Sequence, residues 1–265
     1  MPIEQQFVYR CDDCGYESKH ANSAWLFLTQ PEQLYCPSCK VKRTGPRVDS
    51  NPPPAVPSCP YDEDYYLRGK ESGKSLYENY RWLPELTLPM VDRMVEVLGI
   101  RKGQTVLDFG CARGYTVRAF LERGYDAWGV DYSQWAIDNA DPKARHKLWQ
   151  GQWPWFKVDW IIAKDVLEHI HDATLGRTIE NLLEHARVGV FVVVPLAIED
   201  GCTYVVPEYE KDVTHVQRLT LETWVAKFSA LGWSVNGTHR IPGIKDNYAW
   251  AVRGNGFITA RRIER

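Results

Sequence analysis

Apolar residues in this chain fall in short continuous runs separated by stretches of helical spacing, and the two kinds of stretch alternate. Pro89–Leu98 carries its apolar positions at helical spacing and stops at Gly99, so it predicts a core helix. Thr105–Asp108 opens on Val106 and Leu107 and predicts the first strand of a sheet. A helical run from Tyr115 ends at Gly124, a C′ glycine, and Asp126–Asp131 predicts the second strand. The next predicted elements are a helix over Ser133–Asn139 with Ser133 as N-cap, a strand over His146–Gln150 and a strand over Val158–Ala163. Val188–Pro195 is β-branched and continuous, as a buried parallel strand should be. Thr220–Gly232 is amphipathic, with Thr220 as cap and Glu222 in the first turn. Position 223 is Thr, so there is no full capping box. Trp233–Thr238 and Tyr248–Ala260 would close the sheet as an antiparallel pair. Strands alternating with helices imply an α/β domain.

The chemistry begins between the first two strands. Val106-Leu-Asp-Phe-Gly-Cys-Ala-Arg-Gly114 places Asp108 at a strand end and brackets a tight turn with Gly110 and Gly114. Asp131 ends the second strand. A strand, a glycine turn, a helix and a second strand ending in an acid form the unit that holds a nucleoside cofactor at the carboxyl edge of a parallel sheet. Glycine lets the backbone approach a ligand without a Cβ in the way, and the acid can accept from both ribose hydroxyls. A dinucleotide fingerprint needs G-x-G-x-x-G, but Ala112 and Tyr115 occupy its third and sixth positions. The pattern D-x-G-x-A-x-G resembles motif I of the class I S-adenosylmethionine (SAM) dependent methyltransferases, with Ala112 in place of the middle glycine. The resemblance implies a Rossmann-like α/β sheet with helices on both faces. It implies SAM as cofactor, contacted by Asp108, Gly110, Ala112, Gly114 and Asp131. It also implies two further cofactor contacts, Gln152 beside the adenine and Lys164 at the end of the fourth strand.

A second stretch carries the same resemblance. Asp165-Val-Leu-Glu-His-Ile170 follows the fourth strand, at the position that faces the methyl acceptor in this family. Methyl transfer is an in-line displacement, and a hydroxyl acceptor must also lose a proton. Asp165, Glu168, His169 and His215 are the candidates for that work. On a helix starting at Asp165, residues 165, 168 and 169 would share a face. Three readings stand. His169 or His215 acts as general base. The four residues bind a divalent cation such as Mg²⁺, as in families with an E-x-x-E-H string and a later histidine, which include plant small-RNA 2′-O-methyltransferases. Or Asp165 caps a helix and Glu168 bonds local backbone. Before motif I, the aromatic run Tyr65, Tyr66, Tyr77, Tyr80 and Trp82 resembles the segment that folds over the cofactor in this family, with plain packing against the domain as the alternative.

The chain has 265 residues, enough for such a domain and a small module. Cys11-Asp-Asp-Cys14 and Cys36-Pro-Ser-Cys39 have the spacing of two zinc knuckles. They predict a zinc-ribbon module over residues 1–45 holding structural Zn²⁺, with unligated or oxidised cysteines as the alternative. Four thiolates close the ion's shell, so this zinc would do no catalysis. Cys59, Cys111 and Cys202 read as ordinary small residues. Residues 46–60, rich in proline, predict a stiff linker, and residues 61–265 the SAM domain. Cysteines used for metal predict a reducing cytoplasm. The N-terminus does not read as a signal peptide, and no apolar run approaches the ~20 residues of a membrane span. A net charge of −2 supplies no global field toward nucleic acid.

The leading expectation is methyl transfer to a small polar acceptor, a hydroxyl of a sugar or sugar-linked metabolite. The Asp-x-Thr-His segment and the threonine-led helix bearing Trp224 resemble bacterial sugar and glycan methyltransferases. The alternatives are an RNA methyltransferase, with Lys40–Arg47 on the zinc module holding RNA, and a non-catalytic SAM-binding adaptor. The oligomeric state is left open.

Overall fold

The computed structural model describes residues 59–151 and 156–263, with the strand residues 9–10, 17–18, 34–35 and 42–43. The chain divides into two compact units, Met1–Ser58 and Cys59–Arg265. In the first, β1 (Tyr9–Arg10) pairs antiparallel with β2 (Glu17–Ser18), and β3 (Leu34–Tyr35) with β4 (Lys42–Arg43). Cys11, Cys14, Cys36 and Cys39 lie outside the described residues.

The second unit opens with two short helices, α1 (Glu63–Leu67) and α2 (Gly69–Ser72), before the long α3 (Pro84–Leu98). That long helix starts five residues earlier than the spacing predicts. Pro84 takes the first turn, where a missing N–H costs nothing, and Pro89 is carried inside. Seven strands then form one sheet: β5 (Thr105–Phe109), β6 (Asp126–Asp131), β7 (Leu148–Gln150), β8 (Val158–Lys164), β9 (Ala186–Pro195), β10 (Ser234–Thr238) and β11 (Asn255–Arg261). Their order is β10-β11-β9-β8-β5-β6-β7. β5 to β9 run parallel, and β11 pairs antiparallel with both β9 and β10. Strand order reverses at β5, which makes the carboxyl ends of β5 and β8 the topological switch point of the sheet.

The remaining helices are α4 (Tyr115–Glu122), α5 (Gln134–Asp138), α6 (Asp172–His185) and α7 (Leu221–Ser229). Both faces of the sheet are covered. Leu107, Ile161, Val190 and Val192 pack toward α6 and α7, against Ile179, Leu182, Trp224 and Phe228. Val106, Ile162, Phe191 and Val193 pack toward α3 and α4, against Met94, Leu98, Val117 and Phe120. The fully buried run through β9 is the signature expected of a central parallel strand. Helix α6 is absent from the expectations above, although Leu175, Ile179, Leu182 and Leu183 give it a helical apolar stripe. Ser133 and Thr220 cap α5 and α7 as expected. Among the described residues no helix is long and apolar enough to cross a membrane.

Candidate functional site

The turn after β5 is built from backbone in the left-handed region. Gly110 has φ +80°, Ala112 φ +49° and Gly114 φ +79°. Glycine at 110 is required twice over, because a Cβ there would lie 2.3 Å from Val166 Cγ2. At Gly114 a Cβ would lie 2.4 Å from Leu148 Cδ1, so the glycines make room for protein as well as for ligand. Asp131 pins the turn. Its Oδ2 accepts from the Ala112 N–H at 2.7 Å, and its Oδ1 from the Ser133 N–H at 2.7 Å. Each oxygen keeps a lone pair for a ribose hydroxyl. Burial raises the Asp131 carboxyl. Burial pushes the Asp108 carboxyl up to about 7, opposed by the Lys164 ammonium and helped by the Asp131 charge. The turn and its acid fit a nucleoside cofactor: Asp131 would hold the ribose, and Gly110, Ala112 and Gly114 would line its approach. Gln152 lies outside the described residues.

The segment before α3 lies over this turn. The Ser133 hydroxyl donates to the Tyr61 carbonyl at 2.5 Å. Tyr66 stacks on Trp135 at 5.3 Å and packs with Ala112. Tyr65, Tyr66, Tyr77 and Tyr80 form one aromatic cluster, and Tyr80 and Trp82 reach Tyr115. The run therefore both covers the turn and packs the segment onto the domain.

At the end of β8 the outcome differs from the expectation of a helix face. Asp165 is in the left-handed region, φ +57°, so it neither starts nor caps a helix, and only Leu167–His169 makes a 3₁₀ turn. Its N–H donates to the Val193 carbonyl at 2.8 Å. Its carboxylate lies between two ammonium groups, Lys164 at 2.5 Å and the buried Lys245. Burial works to raise the Asp165 carboxyl, yet the two lysines hold it well below the ordinary range. Lys164 thus serves Asp165 directly and acts on Asp108 through its charge. Lys245 also sits 4.7 Å above the Tyr209 ring.

Glu168, His169 and His215 converge instead. Each offers one ligand atom to a group whose three atoms lie within 4.8 Å of one another. Asp165 is not in that group. Glu168 is 1% exposed, and its Oε2 has no hydrogen-bond partner. Its carbonyl accepts from the Val216 and Gln217 N–H groups, which draws the segment bearing His215 onto it. His215 Nδ1 faces the Tyr209 carbonyl at 2.9 Å. A carbonyl only accepts, so Nδ1 carries the proton and Nε2 keeps its lone pair. His169 Nδ1 lies 2.8 Å from the Thr214 hydroxyl. Burial and the neighbouring His215 push the His169 ring down to about 4, and burial lowers His215. Burial and the Asp165 charge push Glu168 up to about 8. Two neutral imidazoles and a buried carboxyl with an unpartnered oxygen fit a divalent cation, with each ring held through its Nδ1, by the Thr214 hydroxyl and the Tyr209 carbonyl.

Lys245, Tyr209, Asp212 and Thr214 were not among the predicted site residues. The Asp-x-Thr-His string signalled Asp212 and Thr214, whereas nothing near Lys245 marks it.

Residues 81–257 match the family described as a methyltransferase domain. No curated protein matches the chain. Among solved structures, the complex of the Haloferax volcanii Trm112 methyltransferase activator with a methyltransferase is 14% identical at a TM-score of 0.53, covering 68% of this chain and 91% of that one. A SAM-dependent methyltransferase from Archaeoglobus fulgidus is 16% identical at a TM-score of 0.51, covering 68% and 97%. Magnesium protoporphyrin IX methyltransferase from Synechocystis PCC 6803, with bound S-adenosylhomocysteine, is 18% identical at 0.51, covering 66% and 83%. At these identities the likeness is one of fold. The family match spans the glycine turn, Asp131 and the cluster after β8, so the chain belongs to the methyltransferase-domain family and is a SAM-dependent methyltransferase of the class I fold.

Proposed function

We propose that this enzyme methylates a hydroxyl of a small polar acceptor, a sugar or sugar-linked metabolite, and that Glu168, His169 and His215 hold a divalent cation beside that hydroxyl. The convergence of their three ligand atoms within 4.8 Å carries the reading. SAM supplies an electrophilic methyl group when bound, and a cation at the cluster would lower the pKa of a ligated hydroxyl. The chain's own residues do the rest. Asp131 and the glycine turn hold the nucleoside, and the Tyr61–Tyr66 segment covers it and excludes water. Asp165 stays with Lys164 and Lys245 and leaves the cluster to three ligands. A cation is favoured over a histidine base because the two rings converge with a buried carboxyl oxygen that has no hydrogen-bond partner.

Structural zinc on Cys11, Cys14, Cys36 and Cys39 belongs to the same proposal. Paired strands flank each cysteine pair along the sequence, Tyr9–Arg10 with Glu17–Ser18 and Leu34–Tyr35 with Lys42–Arg43.

The test is methyl transfer from labelled SAM to free sugars, nucleotide sugars and RNA, with and without EDTA, alongside calorimetric titration of Mn²⁺ into the zinc-loaded full chain. The expected result is transfer to a sugar hydroxyl that a chelator abolishes and Mg²⁺ restores, with Mn²⁺ binding lost in Glu168→Gln. Chelator-resistant transfer by a chain that binds no Mn²⁺ would overturn the cation. Transfer to RNA alone would overturn the acceptor class.

A further inference from the structure

The segment that covers the cofactor turn also reaches the acceptor cluster. The Tyr65 hydroxyl donates to Asp212 Oδ2 at 2.8 Å, across 147 residues of sequence. Asp212 Oδ1 accepts from the Thr214 N–H at 3.0 Å and from the Thr214 hydroxyl at 2.5 Å. The Thr214 oxygen is the atom that meets His169 Nδ1. Tyr61 packs edge-on against the His169 ring at 5.7 Å. Asp212 and Glu168 are both buried, and Tyr65 is 4% exposed, so water does not compete strongly for these groups.

The direction of each bond follows from counting protons. A carboxylate only accepts, and a threonine hydroxyl has one proton to give. The contact of 2.5 Å to Asp212 takes that proton. Toward His169 the Thr214 oxygen is left as an acceptor, so His169 Nδ1 must be the protonated nitrogen. Nε2 then carries the lone pair. His215 reaches the same state independently, through the Tyr209 carbonyl. Tyr65 fixes the second oxygen of Asp212, and its hydroxyl, like that of Tyr61, also meets the Thr214 side chain.

We propose that Tyr65 is a positioning residue for methyl transfer, acting through Asp212 and Thr214 to keep His169 in its Nδ1–H tautomer with Nε2 free to serve the cluster. Its consequence for turnover rests on the reading of Glu168, His169 and His215 as the acceptor-activating group; the tautomer itself does not. The relay also places acceptor activation in mechanical contact with cofactor binding. The same segment that donates through Tyr65 is tied at Tyr61 to Ser133 and at Tyr66 to Trp135, beside Asp131.

The experiment is long-range ¹H–¹⁵N spectroscopy of the full chain labelled with ¹⁵N-histidine, in EDTA against the cluster and with the protein's zinc content checked. His169 is assigned by comparison with His169→Gln. The wild type is expected to show the Nδ1–H pattern at His169 and at His215. Thr214→Val should shift the His169 tautomer ratio by about tenfold, the value of one ordinary hydrogen bond, and leave His215 unchanged. Thr214→Ser should restore the wild-type ratio. Tyr65→Phe should shift it in the same direction by about threefold. An Nε2–H form at His169 in the wild type, or a ratio unmoved by Tyr65→Phe, would overturn the proposal. Mn²⁺ titration of the same samples separates the two ideas. Absent Mn²⁺ binding with the expected tautomer shifts sinks the cation and keeps the relay.

Discussion

Asp131→Asn tests whether the acid that ends β6 holds the protein's own turn as well as the cofactor. The substitution keeps shape and removes charge. Asp131 is 8% exposed and receives two short bonds, from Ala112 N–H and Ser133 N–H, each 2.7 Å. An asparagine oxygen can accept one of them, while its NH₂ group must face the other donor. A hydrogen bond to a charged group is worth roughly 1.5–3 kcal/mol, and leaving a buried N–H unpaired has a similar cost. Against this, burial raises the Asp131 carboxyl, so removing the charge recovers part of its desolvation cost. The net expected loss is about 2 kcal/mol in the cofactor-free chain. For a domain of this size that lowers Tm by about 4–8 °C. S-adenosylhomocysteine affinity should fall a further tenfold to hundredfold, because a ribose hydroxyl loses its acceptor. Differential scanning calorimetry and isothermal titration read the two effects separately. An unchanged Tm would refute the role of Asp131 in pinning the turn. An unchanged affinity would refute its placement at the ribose.

Gly110→Ala should destabilise by about 2–3 kcal/mol, since it forces φ +80° on alanine and drives a Cβ to 2.3 Å from Val166 Cγ2. Adding Val166→Ala should relieve the clash and leave the backbone strain of about 1–2 kcal/mol; thermal melts that rank the two variants equally would show that Val166 is not the obstacle. The cation-free enzyme should lose stability as pH rises. Asp108 and Glu168 titrate at about 7 and about 8 in the fold, above the roughly 4 of an unfolded carboxyl. Their protonated forms therefore favour the fold fully below pH ~4, and that contribution is lost as pH passes 7 and 8. Melting temperature should decline from pH 6 to 8.5, less steeply above pH 7 in Glu168→Gln; identical slopes would contradict the burial of Glu168 as a neutral acid.

The glycine turn and Asp131 are legible along the chain because their determinants are local. A glycine turn, the strand before it and the helix after it lie within one short stretch, and apolar periodicity places Asp131 at the next strand's end. Left-handed backbone at Gly110 and Gly114 is a property of the residues themselves. The cluster after β8 is legible only as a set of residue types. Asp165 reads as one more acid on a helix face, but Lys245, 80 residues away, and Lys164 claim it and hold it in a loop. No periodicity encodes that pairing, since ion pairs form between whichever charges the sheet brings to one edge.

The alternation of strands and helices and the glycine turn between the first two strands follow from spacing, because burial and turn geometry act over neighbouring residues, and the kind of cofactor follows from the resemblance of D-x-G-x-A-x-G to motif I. Which histidine nitrogen carries the proton, which acid joins Glu168, His169 and His215, and which tyrosine reaches Asp212 depend on contacts between distant segments. Hydrogen bonds and charges have short reach, so their partners are chosen once the chain has folded, among the few groups left unpaired at the carboxyl edge of the sheet.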